Sequence, residues 1–273
     1  MPLPRGARRT VLTTGANSGI GLATVIELSR RGFDSVGSVR SAAKARQVRR
    51  AATEAGAEVR TVLLDVNDGR VCEKVISRLR PWGLVNNAGF GPVGAIEDVD
   101  DREAVQVMET MVIAPMRLAR LAIPNMRASG GGRIVNLSSI YGLTTTPLSG
   151  WYQAAKHAIE ALSDALRVEV AHDRIRVIVV EPVGFDTAIW DRDRVREGSR
   201  YREGYKRVDL GVRLSRPFMG DPKQVAHTVG RALTASHPHA RYMVGLDAQA
   251  IALWHRVVPS AVKDRVTRLG LGL

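Results

Sequence analysis

Cysteine is nearly absent: Cys72 is the only one in 273 residues. No internal disulfide can staple the fold, which therefore needs no oxidising compartment. Cys72 itself, in helix-like sequence, reads as a packed or half-buried small residue. No apolar stretch is long enough for a membrane span or a signal peptide. Cytoplasmic localisation and no transmembrane segment are expected. No proline/serine linker, repeat or low-complexity tract interrupts the chain, so one domain over residues 1–273 is expected. The six histidines show no metal-ligand spacing. His237-Pro238-His239 has no cysteine or carboxylate partner nearby in sequence; it reads as a loop, and no metal is expected.

Acidic charge is also scarce relative to basic. The formal net charge is +13, carried by six lysines and thirty-four arginines among forty basic residues. The arginines are scattered along the whole chain, and aromatics (5%) are too few to interleave with them. A nucleic-acid track needs both clustering and stacking platforms, so nucleic acid is not an expected partner. Attraction to anionic lipid or an acidic partner stays open.

What is present is an alternation. Apolar runs at 10–14, 35–39, 59–64, 84–86, 133–137 and 176–180 read as strands. Between them, apolar residues recur at three- and four-residue spacing, as at Ile20, Ala23, Val25, Ile26 and Leu28. Continuous apolar strands joined by helices imply an α/β fold, a doubly wound parallel sheet of Rossmann type with helices on both faces. The rhythm breaks at 190–216, which is densely charged. It reads equally as a solvated helix pair or as a substrate lid, with the lid placed over 188–216.

The first strand runs into Thr14-Gly15-Ala16-Asn17-Ser18-Gly19-Ile20-Gly21, which then opens a helix. Glycines permit a tight turn and close approach of backbone to a pyrophosphate, and a helix N-terminus offers amides and partial positive charge. The strand-loop-helix context makes Gly15, Asn17, Ser18, Gly19, Ile20 and Gly21 candidate dinucleotide-binding residues. An NAD site of this type places a carboxylate at the end of the second strand, against the ribose diol. Here that strand ends Gly37-Ser38-Val39-Arg40-Ser41 with no acid. Arg40 can pair with a 2′-phosphate instead, so NADP(H) is expected over NAD(H). Further on, Tyr152 and Lys156 lie four apart on a predicted helix and so share one face. A lysine ammonium beside a phenol, joined by a positive nicotinamide, lowers the phenol's pKa from its usual value near ~10.

These motifs, in this order, resemble the short-chain dehydrogenase/reductase family. The resemblance covers roughly residues 9–190 and includes the glycine loop, Asp65-Val66, Asn86-Asn87-Ala88-Gly89, Ser139, Tyr152-x-x-x-Lys156, and Pro182 to Thr187. A softer similarity links Trp82 to Gly89 to the retinol and hydroxysteroid dehydrogenase branch. The resemblance implies hydride exchange between NADP(H) and an alcohol or its ketone or aldehyde. It places Asp65 and Val66 at the adenine, and Asn87, Ala88, Gly89, Pro182 and Thr187 around the cofactor. Ser139 would bind the substrate oxygen. Tyr152 would act as general acid/base, and Lys156 would hold the ribose hydroxyls. A homodimer or homotetramer is likewise implied.

Two departures from the family pattern stand out. Met111 occupies the place of an asparagine that positions a relay water, and a thioether is only a weak acceptor. Val183 stands where glycine is usual, with Gly184 one step later. The rival reading is a cofactor-binding sensor or weakly active relic; intact Ser139, Tyr152 and Lys156 argue against it. Ile189, Trp190, Leu210, Leu214, Phe218 and Met219 are candidate pocket-lining residues. Their apolarity hints at a lipophilic substrate, and ordinary core packing fits them equally. The segment 248–258 could rest on a membrane surface or pack on the sheet, and packing is the favoured expectation.

Overall fold

The computed structural model describes residues 8–91, 94–187, 198–245 and 248–273. Seven strands form one wholly parallel sheet in the order β3-β2-β1-β4-β5-β6-β7. They are β1 (Thr10–Thr13), β2 (Asp34–Val39), β3 (Arg60–Leu63), β4 (Gly83–Asn86), β5 (Gly132–Leu137), β6 (Ile175–Pro182) and β7 (Arg241–Val244). Ten α-helices accompany them among the described residues: α1 (Gly19–Arg30), α2 (Ala42–Glu54), α3 (Gly69–Leu79), α4 (Asp101–Met108), α5 (Ala114–Ala128), α6 (Gly150–Glu169), α7 (Arg202–Ser215), α8 (Pro222–Thr234), α9 (Ala248–Val257) and α10 (Ser260–Leu271).

Neighbouring strand residues point to opposite faces, and both faces are buried, which is why the strand runs read as continuously apolar. Val11, Val85, Val135 and Ile178 pack against Leu28 of α1 and Val225 and Val229 of α8. Leu12, Leu84, Ile134 and Val177 pack the other way, against Cys72 and Ile76 of α3 and Leu118 of α5. Cys72 is fully buried, and burial pushes its thiol above its ordinary value. A π-helical turn (Glu109–Ile113) joins α4 to α5. Pro115, just beyond it, has no amide hydrogen and so removes the α-helical donor for the Met111 carbonyl.

β7 escaped the sequence reading because it is only four residues long, opens on Arg241 and buries only Val244. In the described part of the 190–216 region there is one helix, α7, followed by a 3-10 turn (Arg216–Phe218). The rest of the expected lid, 188–197, lies outside the described residues. Strand order reverses between β1 and β4, and open parallel sheets take their ligands at the carboxyl ends of strands beside such a switch point.

Candidate active site

At that point opens a cavity of about 1030 Å³. Its lining includes Gly15, Asn17, Ser18, Gly19, Ile20 and Gly21 from the glycine loop, and Arg40, Asp65 and Val66 from beyond β2 and β3. It also includes Asn87, Ala88 and Gly89 after β4, Ser139 after β5, Tyr152 and Lys156 on α6, and Pro182 and Thr187 at the end of β6. The structure thus brings every candidate catalytic and cofactor-binding residue to one cavity. Asp65 sits two residues beyond β3 rather than closing it.

The glycine-loop end is fitted by backbone. Gly15 and Gly19 take left-handed conformations, φ +66° and +51°. A Cβ on Gly21 would overlap the Gly15 carbonyl oxygen and stand 2.5 Å from Asn87 Nδ2. That amide donates to the carbonyls of Thr14 (2.9 Å) and Gly15 (3.2 Å), pinning the loop to the end of β4. Thr14 Oγ1 accepts from the backbone amides of Asn87 and Ala88 in return. Ser18 precedes α1 without capping it by a side-chain hydrogen bond, so the first-turn amides remain available to an anion. These features fit the diphosphate of a dinucleotide. Beyond β2 the lining holds Arg40 and Lys44, neither in an ion pair with a described residue. Lys44 was missed because it belongs to the first turn of α2 rather than to the strand end. The acidic lining residues are Asp65 and Glu103, neither at the end of β2.

At the centre, Tyr152 is buried among Val107, Met111, Val112 and Ala155. The Ser139 hydroxyl, which accepts from the Tyr141 backbone amide (3.3 Å), lies close enough to the phenol to act on its pKa. Lys156 Nζ donates to the Leu137 carbonyl (2.7 Å) and lies 5.6 Å from the Tyr152 ring centroid. Burial pulls the Lys156 ammonium down to about 8, opposed by the Glu160 carboxylate. Burial pushes Tyr152 above its ordinary value, against the nearby Ser139 hydroxyl, which lowers it. In the protein alone desolvation sets the direction, whereas the expected lowering counts on a lysine ammonium joined by a bound nicotinamide. The phenol is therefore protonated at neutral pH. Met111 is buried beside Gly89 and lines the cavity. Gly184 takes the left-handed conformation, φ +63°, while the Val183 amide donates to the Val244 carbonyl (2.9 Å). The shifted glycine thus turns the loop while Val183 ties it to β7.

The far end is walled by Tyr205, Val208, Val212 and Ser215 of α7, with His255 of α9 and Leu271 of α10. Of the expected lining residues, Met219 is there. Leu210, Leu214 and Phe218 are not; they are 56%, 66% and 89% exposed. The helical repeat decides this: Tyr205, Val208 and Val212 share the inner face, and positions 210 and 214 fall opposite. Ile189 and Trp190 lie outside the described residues. The C-terminal segment also departs from the packing expectation, since Leu253, Trp254 and Val257 are 62%, 48% and 66% exposed.

The sequence profile described as short chain dehydrogenase matches residues 9–198. The oxidoreductase YusZ of Bacillus subtilis (strain 168) is 32% identical, over 96% of this chain and 98% of that one. Retinol dehydrogenase 7 of Rattus norvegicus is 30% identical, over 95% and 88%. The crystal structure of a short-chain dehydrogenase from Streptomyces avermitilis superposes with a TM-score of 0.79 at 30% identity, covering 96% of each chain.

Proposed function

The chain belongs to the short-chain dehydrogenase family, and from that premise we propose that it is an NADP(H)-dependent oxidoreductase interconverting a lipophilic alcohol and its ketone or aldehyde. The observation that carries this reading is the meeting of Ser139, Tyr152 and Lys156 in the cavity that also holds the glycine loop. The cofactor, when bound, supplies or accepts the hydride. The chain's own residues manage the oxygen and its proton. Ser139 and Tyr152, together in the cavity lining, offer two hydroxyls to a carbonyl oxygen and share its charge as it develops. Tyr152, kept protonated by burial, gives its proton to that oxygen and takes one back in oxidation. Lys156, anchored on the Leu137 carbonyl, holds the ribose hydroxyls and keeps positive charge beside the phenol up to about pH 8.

The NADP(H) preference rests on Arg40 beyond β2, on Lys44 in the first turn of α2, and on the lack of an acid at the end of β2. The residues expected at the cofactor are assigned the same roles here: Asp65 and Val66 at the adenine, and Asn87, Ala88, Gly89, Pro182 and Thr187 around the cofactor. The apolar far wall supports a lipophilic substrate, and the rat relative's name specifies an alcohol of that character, retinol. The inner face of α7 supports a lid over 188–216, within a single domain. Val105, Leu162 and Val168, exposed on α4 and α6, support a homo-oligomer joined through those helices. Among the described residues no helix is long and apolar enough to cross a membrane, and we keep the cytoplasm as the compartment.

The test is a panel of carbonyls, from short aldehydes to long-chain ketones and retinoids, followed by cofactor absorbance with NADPH and NADH in parallel. Faster NADPH consumption with the longer substrates is expected. Tight NADPH binding without consumption on any carbonyl would favour the sensor reading, which the buried Met111 thioether supports.

A further inference from the structure

The helices that wall the far end of the cavity have a second face. On α10, Thr267, Gly270 and Leu271 line the cavity. Val262, Val266 and Leu269, spaced i, i+4, i+7, form a separate stripe that is 47%, 55% and 72% exposed. On α9, His255 lines the cavity while Leu253, Trp254 and Val257 are exposed. On α7, Leu210 and Leu214 point away from the cavity wall, and exposed Phe218 follows. The three helices are locked together: Arg207 Nη1 of α7 donates to the Leu269 and Gly270 carbonyls of α10 (both 3.3 Å), and Lys263 Nζ to the His255 carbonyl of α9 (2.9 Å).

Charge identifies what this face meets. The α10 stripe is flanked by Lys263 on one side and Arg265 on the other, with Arg268 beyond; Asp264 is that helix's one acid. α7 carries Arg202, Lys206, Arg207 and Arg213 against Glu203 and Asp209. A second copy docking symmetrically on this face would bring arginine to arginine. An anionic bilayer complements both parts, taking the apolar tips below its headgroups and the basic side chains among its phosphates.

We propose that the outer faces of α7, α9 and α10 form a peripheral docking surface for anionic phospholipid membrane, which sets the substrate end of the cavity against the bilayer. A lipophilic substrate could then pass between bilayer and cavity without crossing water. Docking itself is independent of the catalytic reading.

The experiment is co-sedimentation of the full chain with vesicles of phosphatidylglycerol and phosphatidylcholine, or of phosphatidylcholine alone, at low and high salt. Two variants probe the face: the charge-neutral Val266→Ser/Leu269→Ser and the charge-reversed Arg265→Glu/Arg268→Glu. Arg46→Glu, on the exposed face of α2, controls for general basicity, and unchanged melting temperature and NADPH affinity confirm the fold. Salt-sensitive binding to the anionic vesicles alone is expected. Each face variant should lose on the order of ten-fold in affinity, and the α2 control less than about two-fold. A control loss as large as the others, or no vesicle binding, would overturn the proposal. So would a wild-type dimer in velocity sedimentation that the serine variant dissociates, which would assign the face to a second copy. None of these readouts involves turnover, so an inactive enzyme would leave the result standing.

Discussion

At the glycine-loop end of the cavity the wall is backbone, and at the α7 end it is side chains. Gly21 has no room for a methyl group between the Gly15 carbonyl and the Asn87 amide. Gly37, under the same loop, would put a Cβ 2.7 Å from that of Ala16. Gly211, which lines the opposite end, would add one with nothing within 4 Å. The first end is cut to one shape of ligand, and the second can exchange side chains without moving the chain. On the proposed function, the cofactor's place would be set by covalent geometry and the substrate's by composition.

The sharpest way to break that contrast is to make the same substitution at both ends. Gly21→Ala should weaken NADPH binding by about a hundred-fold or more in calorimetry, since overpacking against backbone costs about 3 kcal/mol. Gly211→Ala should leave binding within about two-fold and raise stability by roughly 0.5–1 kcal/mol, as alanine replaces glycine in a helix interior. Equal effects at the two positions would show that both walls yield alike.

Next in size is the charge at the edge of the rigid end. Arg40→Ala should lower the ratio of NADPH to NADH affinity by roughly ten- to a hundred-fold, the loss of a charge-assisted contact of about 1.5–3 kcal/mol. Equal affinity of the wild type for both cofactors would remove the NADP(H) assignment. Met111 stands between the two ends. If its thioether interrupts proton traffic to solvent, wild-type steady-state turnover carries a solvent isotope effect, and Met111→Asn raises it by about ten-fold. The alternative outcome is normal wild-type turnover with nothing gained, which would make Met111 core packing.

A further effect is read as stability rather than turnover, where α6, β6 and β7 bury carboxylates around Arg241. Its guanidinium bonds Asp164 (2.6 Å), Glu160 (3.2 Å) and the fully buried Glu181 (3.3 Å). Burial, then the Glu160 carboxylate, pushes Glu181 up to about 7 against the pull of Arg241. The folded protein then keeps a proton that the unfolded chain releases above its ordinary 4.5. Stability accordingly falls as pH rises from about 4.5 to about 7 and levels beyond. Glu181→Gln, fixed in the neutral form, should lose this slope. Its gain over wild type should reach the order of 2 kcal/mol near about pH 8 and vanish near about pH 4. A gain that does not change with pH would trace to packing instead.

The two ends also differ in how far they are legible in sequence. Strands β1, β2, β4, β5 and β6 read as apolar runs because both faces are buried. β7 is four residues long, opens on Arg241, pairs only with β6 and buries only Val244, so its apolar run is too short to mark it. The glycine loop, Asn87, Ser139, Tyr152 and Lys156 could be picked out because residue type and spacing together encode a geometry. The α7 wall could not, because helical phase decides which of Val208 and Leu210 turns inward, and both are plausible by composition. Glu160, Glu181 and Arg241 escaped for another reason: their contact joins three elements far apart in sequence, and each alone looks like a surface charge.

Single-turnover reduction by Tyr152→Phe, measured by stopped flow alongside NADPH affinity, tests most directly whether the centre of the cavity performs the proposed chemistry. The phenyl ring keeps its packing among Val107, Met111 and Ala155 and loses only the hydroxyl that meets Ser139. The rate should drop by about 10²–10⁴-fold, the range for a positioned proton donor, with NADPH affinity within about two-fold of wild type. Reduction of a good substrate at the wild-type rate would contradict the assignment of Tyr152 as the proton donor.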